Sequence, residues 1–388
     1  MDSHSIWINA GEVSGDMHGA LLLEALRKRG PDLRFIGMGG PHLRAAGLEA
    51  FFHSEDLSVM GITEVFGQLP RILRILSGIK KALAREKPSA IILIDAPDFH
   101  FRVIKAARAL DIPVYYYISP KVWAWRQGRA KFIRDNVRRL ISILPFEVEF
   151  YRRFGMEIHY VGNPLIDMLN PTALQAISVE PGLIGFLPGS RKSEVTALLR
   201  EFGGAARILR QRLPHLHFAC LRAPGIAESL LRSFWPEDVP VSFIEPDGRW
   251  AFMRRCEMLI EASGTVTLES AIIGTPAIVT YKVSPLSYGV GRLLVRVPFI
   301  SLPNLILGRE AYPELLQGAC DAVPLADAAL AWLLPKPGDR PLEKIRRELE
   351  EVRRLLGEPG AVNRAADLII RDLAGKGPEE PAATERHH

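Results

Sequence analysis

The stretch GFLPGSRKSE, residues 185–194, ends an apolar run in a Pro-Gly-Ser turn and sets Ser190 and Arg191 where a helix begins. Free backbone N–H groups and the helix dipole favour an anion at such a place. An ordinary strand-to-helix turn capped by Ser190 would read the same way. A second run of this kind, LIEASGTVTLES at 259–270, offers Ser263, Gly264 and Thr265 to aim N–H groups at phosphate oxygens, with Glu269 one turn into the helix. Two such sites in one domain suit a diphosphate, and Glu269 could accept hydrogen bonds from a ribose diol, as acids do in dinucleotide folds. The alternative makes Thr265 and Thr267 helix-start residues and Glu269 a first-turn carboxylate favoured by the dipole.

The other chemistry-bearing runs lie earlier. NAGEVSGDMHG supplies Glu12, Ser14 and Asp16 among glycines just before a helix, and IDAPDFH supplies Asp95, Asp98 and His100 where an apolar strand breaks at Pro97. A carboxylate at such an edge can act as general base on a hydroxyl. By position Asp98 is the candidate base, Asp95 orients the loop and His100 packs. YYYISPKVWAWRQGRAKFIR mixes aromatic and basic residues; Trp123 and Trp125 share a side if the segment is extended. Arg126, Arg129, Lys131 and Arg134 would then make a cationic ridge. GMGG at 37–40 is too short to specify a ligand and reads as a place of close backbone approach.

Strand-like apolar runs alternate with helical patterns throughout, which argues for parallel sheets with crossover helices, an α/β fold. The pattern pauses over Gly162, Pro164 and Pro171, then restarts at LIGFLPGS. Two Rossmann-like doubly wound domains are therefore expected, residues 1–165 and 166–358. A C-terminal helix at about 360–374 is expected to pack back on the first, with 375–388 as a tail. Sheets of this type bind ligands outside their carboxyl ends, so both sets of polar loops are expected around a central cleft.

Of the residues, 48% are hydrophobic and 24% charged, as in a globular protein. Cys220, Cys256 and Cys320 form no CxxC pair and read as small buried residues in a reducing compartment, with no metal expected. The start of the chain carries no signal-peptide pattern and no run is long enough to span a membrane, so a cytoplasmic protein is expected. There is no GxxxxGK[ST] sequence and no GxGxxG followed by a suitably spaced acid, which disfavours ATP hydrolysis and NAD binding. A net charge of +5 leaves an anionic membrane open, while no nucleic-acid motif is present. Within GQLPRILRILSGIKKALAREKP, residues 67–88, Ile72, Leu73, Leu76, Ile79 and Leu83 lie beside Arg71, Arg74, Lys80 and Lys81. That composition suits either a helix lying on an anionic membrane or a core-facing surface helix, and Gly78 weakens its continuity.

In order, AGEVSGDMHGA, FIGMGGPHLRAAG, VMGITEV, IDAPDFH, YYYISPKVWAWR, LPFEVEFY, VGNPL, LPGSRKSE, ASGTVTLE and SLPNLILGREAYPELLQ resemble the motifs of the lipid-A-disaccharide synthases. The resemblance runs from about residue 10 to 318 and is carried by the ordered set rather than any one motif. It implies a GT-B glycosyltransferase of Gram-negative lipid A biosynthesis, peripherally associated with the cytoplasmic face of the inner membrane. The implied reaction moves 2,3-diacylglucosamine from its UDP donor to 2,3-diacylglucosamine 1-phosphate, lipid X, with inversion, giving a β-1,6 disaccharide phosphate and UDP. UDP-sugar is then a substrate, and no cofactor is implied.

Carried over by motif, the family's essential aspartate falls on Asp98, its diphosphate-binding arginine on Arg191 and its ASGT…LE acid on Glu269. The asparagine of SLPN falls on Asn304 and the glutamine of PELLQ on Gln317, expected near the nucleotide or a dimer contact. Glu12, Ser14, Asp16, Lys121, Trp123, Arg126 and Arg129 form the acceptor side. His100 stands where the motif usually has asparagine, and Asn163 where VGHPL has histidine. The acyl chains of the substrates favour the membrane reading of residues 70–84, and a homodimer through the C-terminal segment is one open arrangement. The rivals are a UDP-sugar 2-epimerase of the same layout and a non-catalytic lipid or sugar-nucleotide carrier.

Overall fold

A computed structural model describes residues 5–58, 65–295, 297–336 and 340–375. The chain divides into two compact units, Met1–Pro164 with Glu358–His388, and Leu165–Gly357. Residues 59–64, which carry most of VMGITEV, and the tail from 376 onward with its terminal histidines lie outside the described residues.

The first unit is built on β1 (Ser5–Ala10), β2 (Arg34–Gly39), β3 (Glu49–His53), β4 (Ala90–Ile94), β5 (Val114–Tyr117), β6 (Arg139–Ser142) and β7 (His159–Tyr160). They form one sheet, parallel throughout, in the order β3-β2-β1-β4-β5-β6-β7. Alternation along each strand feeds two cores. Trp7, Ile91, Leu93, Val114 and Tyr116 point to one face, under the helices Val65–Glu86, Pro97–Arg108 and Arg129–Asn136. Ile6, Ile8, Ile92, Ile94, Tyr115 and Tyr117 point to the other, under Val13–Arg29 and Ala361–Leu373. Burial on both faces is why these strands read as unbroken apolar runs.

The glycines of GMGG serve close approach. At Gly37 φ is +145°, and a Cβ there would sit 2.0 Å from the Ile8 carbonyl oxygen; one on Gly40 would meet the Asp16 carboxylate at 2.6 Å. The C-terminal helix Ala361–Leu373 is tied to the first unit by Arg29 to Asp367 at 2.6 Å and by Asp372, whose buried carboxylate meets Tyr115 at 2.6 Å, Arg139 and Arg138.

The helix Val65–Glu86 runs through Gly78 without a break, and Gly78 leaves room for the Phe52 ring, 2.8 Å from where a Cβ would stand. Its apolar stripe is mostly spent inside: Leu76, Ile79 and Leu83 are buried, Ile72 packs against the same core, and only Leu73, 48% exposed, faces out. Leu73 shares that outer face with Arg74, Lys80 and Lys81, all exposed, so the core-facing reading accounts for the stripe.

The second unit holds β8 (Leu183–Leu187), β9 (His217–Leu221), β10 (Ser242–Ile244), β11 (Met258–Ala262), β12 (Ala277–Tyr281) and β13 (Glu314–Leu316), parallel throughout in the order β10-β9-β8-β11-β12-β13. Both sheets reverse direction of strand order beside their first strand, between β1 and β4 and between β8 and β11. Ligands of doubly wound folds bind at those switch points.

Candidate active site

In the first unit the switch point brings Gly11–Ser14 against Asp95–Asp98. A Cβ on Gly11 would lie 2.4 Å from that of Ala96, and Ser14 Oγ donates to Asp95 Oδ2 at 3.4 Å. Asp95 and Ala96 both adopt left-handed backbone, φ +59° and +43°. Such conformations cost about 1–3 kcal/mol each outside glycine and persist only where the surroundings impose them.

The imposition is visible. Tyr116 Oη donates to the Asp95 carbonyl at 2.6 Å, and His100 Nδ1 reaches the same oxygen at 2.6 Å. His100 Nε2 in turn lies 2.9 Å from Asn9 Nδ2, and Asn9 Oδ1 accepts from Trp7 Nε1 at 3.2 Å. One assignment satisfies the whole relay: a neutral His100 protonated on Nδ1. Burial lowers its pKa to about 4, in keeping with that state. His100 is thus the packing histidine expected, with a positioning task. The strained pair turns the chain so that Pro97 and Asp98 open the helix Pro97–Arg108.

Asp98 is 63% exposed, and its Oδ1 is the oxygen nearest both guanidinium groups, Arg126 at 2.8 Å and Arg129 at 2.6 Å. Its Oδ2 carries no bond among the described residues. Arg126 stacks over Trp125 at 4.0 Å and Arg129 over Phe101 at 4.9 Å. The cationic ridge resolves differently from its extended reading. Residues Val122–Trp125 form a short helix, so Trp123 is buried while Trp125 is 40% exposed. Arg134 pairs with Asp135 instead of joining Asp98. Lys121 precedes that short helix on the exposed side, and Glu12 and Ser14 are exposed at the end of β1.

Asp16 has a structural position rather than an open one. Its buried carboxylate accepts from the backbone N–H groups of Gly40 at 2.6 Å, His42 at 2.8 Å and Leu43 at 3.2 Å, capping the helix Pro41–Ala45. His18, not singled out in the sequence, lies nine-tenths buried near Asp95, its pKa lowered by burial to about 4 against the pull of that carboxylate.

In the second unit the switch point joins Gly189–Arg191 to Ser263–Thr265. A Cβ on Gly189, where φ is +100°, would lie 2.7 Å from Glu194 Oε2 and 3.4 Å from the Ala262 Cβ. Arg191, not Ser190, is the N-cap of the helix Lys192–Arg212. The Arg191 N–H donates to Glu194 Oε2 at 3.4 Å, and its guanidinium, 80% exposed, meets Glu194 Oε1 at 3.0 Å. Ser190 is exposed beside it. Ser263 N–H is used by the Thr280 carbonyl, whereas space around Gly264 is open and Thr265 stands at the N-cap of the helix Val266–Ile273 without a side-chain capping bond. Glu269 is nearly buried, and its Oε2 accepts from Trp250 Nε1 at 2.7 Å and Arg249 Nε at 3.1 Å. Its Oε1 carries no bond among the described residues.

Two carried-over residues are spent on the fold. Asn304 is fully buried, accepting from the N–H groups of Ala311 and Tyr312 and donating to the Tyr312 carbonyl and Glu314. Gln317 clamps both backbone groups of Val283. Each shapes the loops after β12 from behind rather than presenting its amide to a ligand. Asn163 likewise donates to the Ile143 carbonyl at 3.1 Å. Sequence reasoning missed Arg249 and Trp250, which orient Glu269, because they come from a helix with no motif of its own. A recess of about 630 Å³ lies at the other end of the first sheet, lined by Arg29, Ser89, Pro113 and Asp372, away from the carboxyl ends where such sheets bind ligands. Among the described residues no three His, Cys, Asp or Glu side chains gather as a metal site.

Residues 6–366 match the sequence profile described as "Lipid-A-disaccharide synthetase". The chain belongs to the lipid-A-disaccharide synthetase family. Among its relatives, the lipid-A-disaccharide synthase of Myxococcus xanthus is 42% identical, the match covering 95% of this chain and 97% of that one. That of Syntrophus aciditrophicus is 40% identical over 95% and 98%. The family resemblance drawn from ten motifs therefore holds over nearly the whole chain, and with it the expectation of a glycosyltransferase. Among solved structures, UDP-GlcNAc 2-epimerase from Neisseria meningitidis, bound to UDP-GlcNAc, shares the fold with a TM-score of 0.60 at 13% identity, covering 96% of this chain and 99% of that one. Acinetobacter baumannii MurG does so with a TM-score of 0.59 at 13% identity, covering 95% and 99%. These likenesses concern the fold, two Rossmann-like sheets of the GT-B type; the synthetase relatives carry the function.

Proposed function

We propose that the protein transfers 2,3-diacylglucosamine from UDP-2,3-diacylglucosamine to O6 of 2,3-diacylglucosamine 1-phosphate, giving the β-1,6 disaccharide 1-phosphate and UDP. The observation that supports this reading most is the pair of anion-suited turns meeting at the second unit's switch point, in a chain of this family. Arg191, Ser190 and the N-termini after Gly189 and Gly264 would take the diphosphate. Glu269, held by Arg249 and Trp250 through Oε2, would offer Oε1 to the ribose hydroxyls.

Asp98 is the proposed base. Its Oδ2 accepts the O6 proton as that oxygen bonds to the anomeric carbon; the bond from carbon to the UDP oxygen breaks on the opposite face, and the electron pair leaves on UDP. Arg191 and the helix termini stabilise the charge that develops there. Glu12, Ser14, Lys121, Arg126 and Arg129 lie on the same unit as Asp98 and form the proposed acceptor side. Since both substrates carry acyl chains, the exposed face Leu73, Arg74, Lys80 and Lys81 is proposed to rest on the anionic cytoplasmic face of the inner membrane. Among the described residues no helix is long and apolar enough to cross it.

The test is UDP release with each substrate alone and with both. Release that requires lipid X and matches disaccharide formed supports the transfer. Epimerisation of UDP-N-acetylglucosamine without an acceptor, and no disaccharide, would sink it in favour of the epimerase.

A further inference from the structure

The support of Asp98 does not end at its two arginines. The segment carrying them, residues 118–129, hangs from a buried acid. Glu147, in the first turn of the helix Phe146–Arg152, is 1% exposed. Its Oε1 accepts from Trp123 Nε1 at 2.8 Å, and its Oε2 lies against Ser142 Oγ. Ser119 belongs to the same cluster and is 3.0 Å from Tyr151 Oη. The Trp123 ring packs edge-on against Phe146 at 4.9 Å.

From Trp123 onward the chain is stitched locally to the arginines. The Arg126 N–H donates to the Val122 carbonyl at 3.0 Å, Gln127 Nε2 to the Trp123 carbonyl at 3.0 Å, and the Arg129 N–H to the Arg126 carbonyl at 2.9 Å. Whatever fixes the Trp123 indole therefore fixes where both guanidinium groups start.

The protons can be counted. Ser142 Oγ has one, which the Leu144 carbonyl can take at 3.0 Å while the Leu144 N–H donates back at 3.1 Å. Glu147 Oε2 is the nearer acceptor for that proton, since the Leu144 carbonyl already accepts from the Glu147 N–H at 3.2 Å, and Oε1 accepts from Trp123. We propose that Glu147 is a positioning residue for the transfer: set between Trp123 and Ser142, it fixes the segment that sets Arg126 and Arg129 on Asp98 Oδ1 and leaves Oδ2 for the acceptor hydroxyl.

Burial pushes the Glu147 carboxyl up to about 7, against the hydrogen bonds from Ser142, Trp123 and Ser119 and the charge of Lys121. Among the described residues Lys121 and Tyr151 are the charged or titratable groups acting on it.

This proposal rests on Asp98 being the base, and the experiment separates the two. Glu147→Ala, Glu147→Gln, Trp123→Phe and Asp98→Asn are compared with the wild type by thermal melts and by kcat and KM with both lipid substrates. Glu147→Ala and Trp123→Phe are expected to lower kcat by about tenfold or more with KM for the UDP-sugar changed by less than about twofold. Glu147→Gln keeps an acceptor for Trp123 and a hydrogen-bond partner for Ser142, so it recovers most of what Glu147→Ala loses.

A kcat for Glu147→Ala within about twofold of wild type, or a folded Glu147→Gln as slow as Glu147→Ala, would overturn the positioning role. If Glu147→Ala does not fold, wild-type kcat in Trp123→Phe overturns it instead. Wild-type activity in Asp98→Asn would overturn the base assignment itself, whatever the Glu147 variants do.

Discussion

At the scale of single residues, the two proposed functional carboxylates share a design. Asp98 gives one oxygen to Arg126 and Arg129, and Glu269 gives one to Arg249 and Trp250, so each has a fixed oxygen and a free one. Asp98 and Glu269 were legible in the sequence because acids beside Pro97 and Gly264 stand out against apolar strands. Their clamps were not, since Arg249 and Trp250 belong to a separate helix and meet Glu269 only in the fold. Asn304 and Gln317 teach the converse: a polar residue within a family motif can be spent entirely on holding the fold. Arg191 is where exposure decides the expectation. Its guanidinium is 80% exposed and pairs, among the described residues, only with Glu194, so its removal should leave the fold intact. Hydrogen bonds to charged groups contribute about 1.5–3 kcal/mol, so Arg191→Ala should raise KM for the UDP-sugar by about 10- to 100-fold with an unchanged melting temperature. Arg191→Lys should recover little of this, because an ammonium lacks the planar fork. Unchanged donor KM in Arg191→Ala would remove the arginine from the diphosphate site.

At the scale of elements, long buried strands and long helices were legible; of the short edge strands β10 was, within VPVSFIE, and the others were not. β1, β4, β8 and β11 lie inside their sheets and read as apolar runs, whereas β3, β7 and β13 sit at edges or near them with two to five residues each. Nothing in EAFFH or HY alone distinguishes a strand from a loop. The helix Val65–Glu86 shows what periodicity can mistake: one apolar stripe with flanking cations fits a membrane or a core, and here Leu76, Ile79 and Leu83 fill the core. What remains for a bilayer is mainly charge. Arg74→Glu, Lys80→Glu and Lys81→Glu together should therefore weaken binding to anionic vesicles about a hundredfold or more, at about 1 kcal/mol for each basic residue, while the melting temperature is retained. Binding to vesicles that is unaffected by these changes, or by salt, would place the membrane contact elsewhere.

At the scale of the whole molecule, the pause over Gly162 and Pro164 in the sequence lies where the two units divide, because a crossover pattern must stop before a new sheet can start. Each unit also buries an acid to which the sequence alone assigned no role. In the second, burial pushes Glu261 on β11 up to about 8, with the neighbouring Glu269 charge acting in the same sense against a hydrogen bond from Ser270. The unfolded chain releases this proton near pH 4.3, the folded chain only near 8, so stability falls as pH rises across that window and levels above it. Glu147 in the first unit adds the same sign up to about 7. Glu261→Met, which fills the site without a titrating group, should make the loss of melting temperature between about pH 5 and 8 shallower than in wild type. Parallel curves would mean that Glu261 does not hold its proton in the fold.

The proposed transfer turns on one oxygen of one residue. Rapid-quench single turnover, with enzyme in excess over UDP-2,3-diacylglucosamine and lipid X saturating, isolates the transfer step from product release. General base catalysis is worth about 10²- to 10⁴-fold, so Asp98→Asn should slow this step by at least about 10²-fold while donor affinity stays within about twofold of wild type. The residual product should still be β-linked. A transfer step within about threefold of wild type in a folded Asp98→Asn protein would contradict the proposed mechanism.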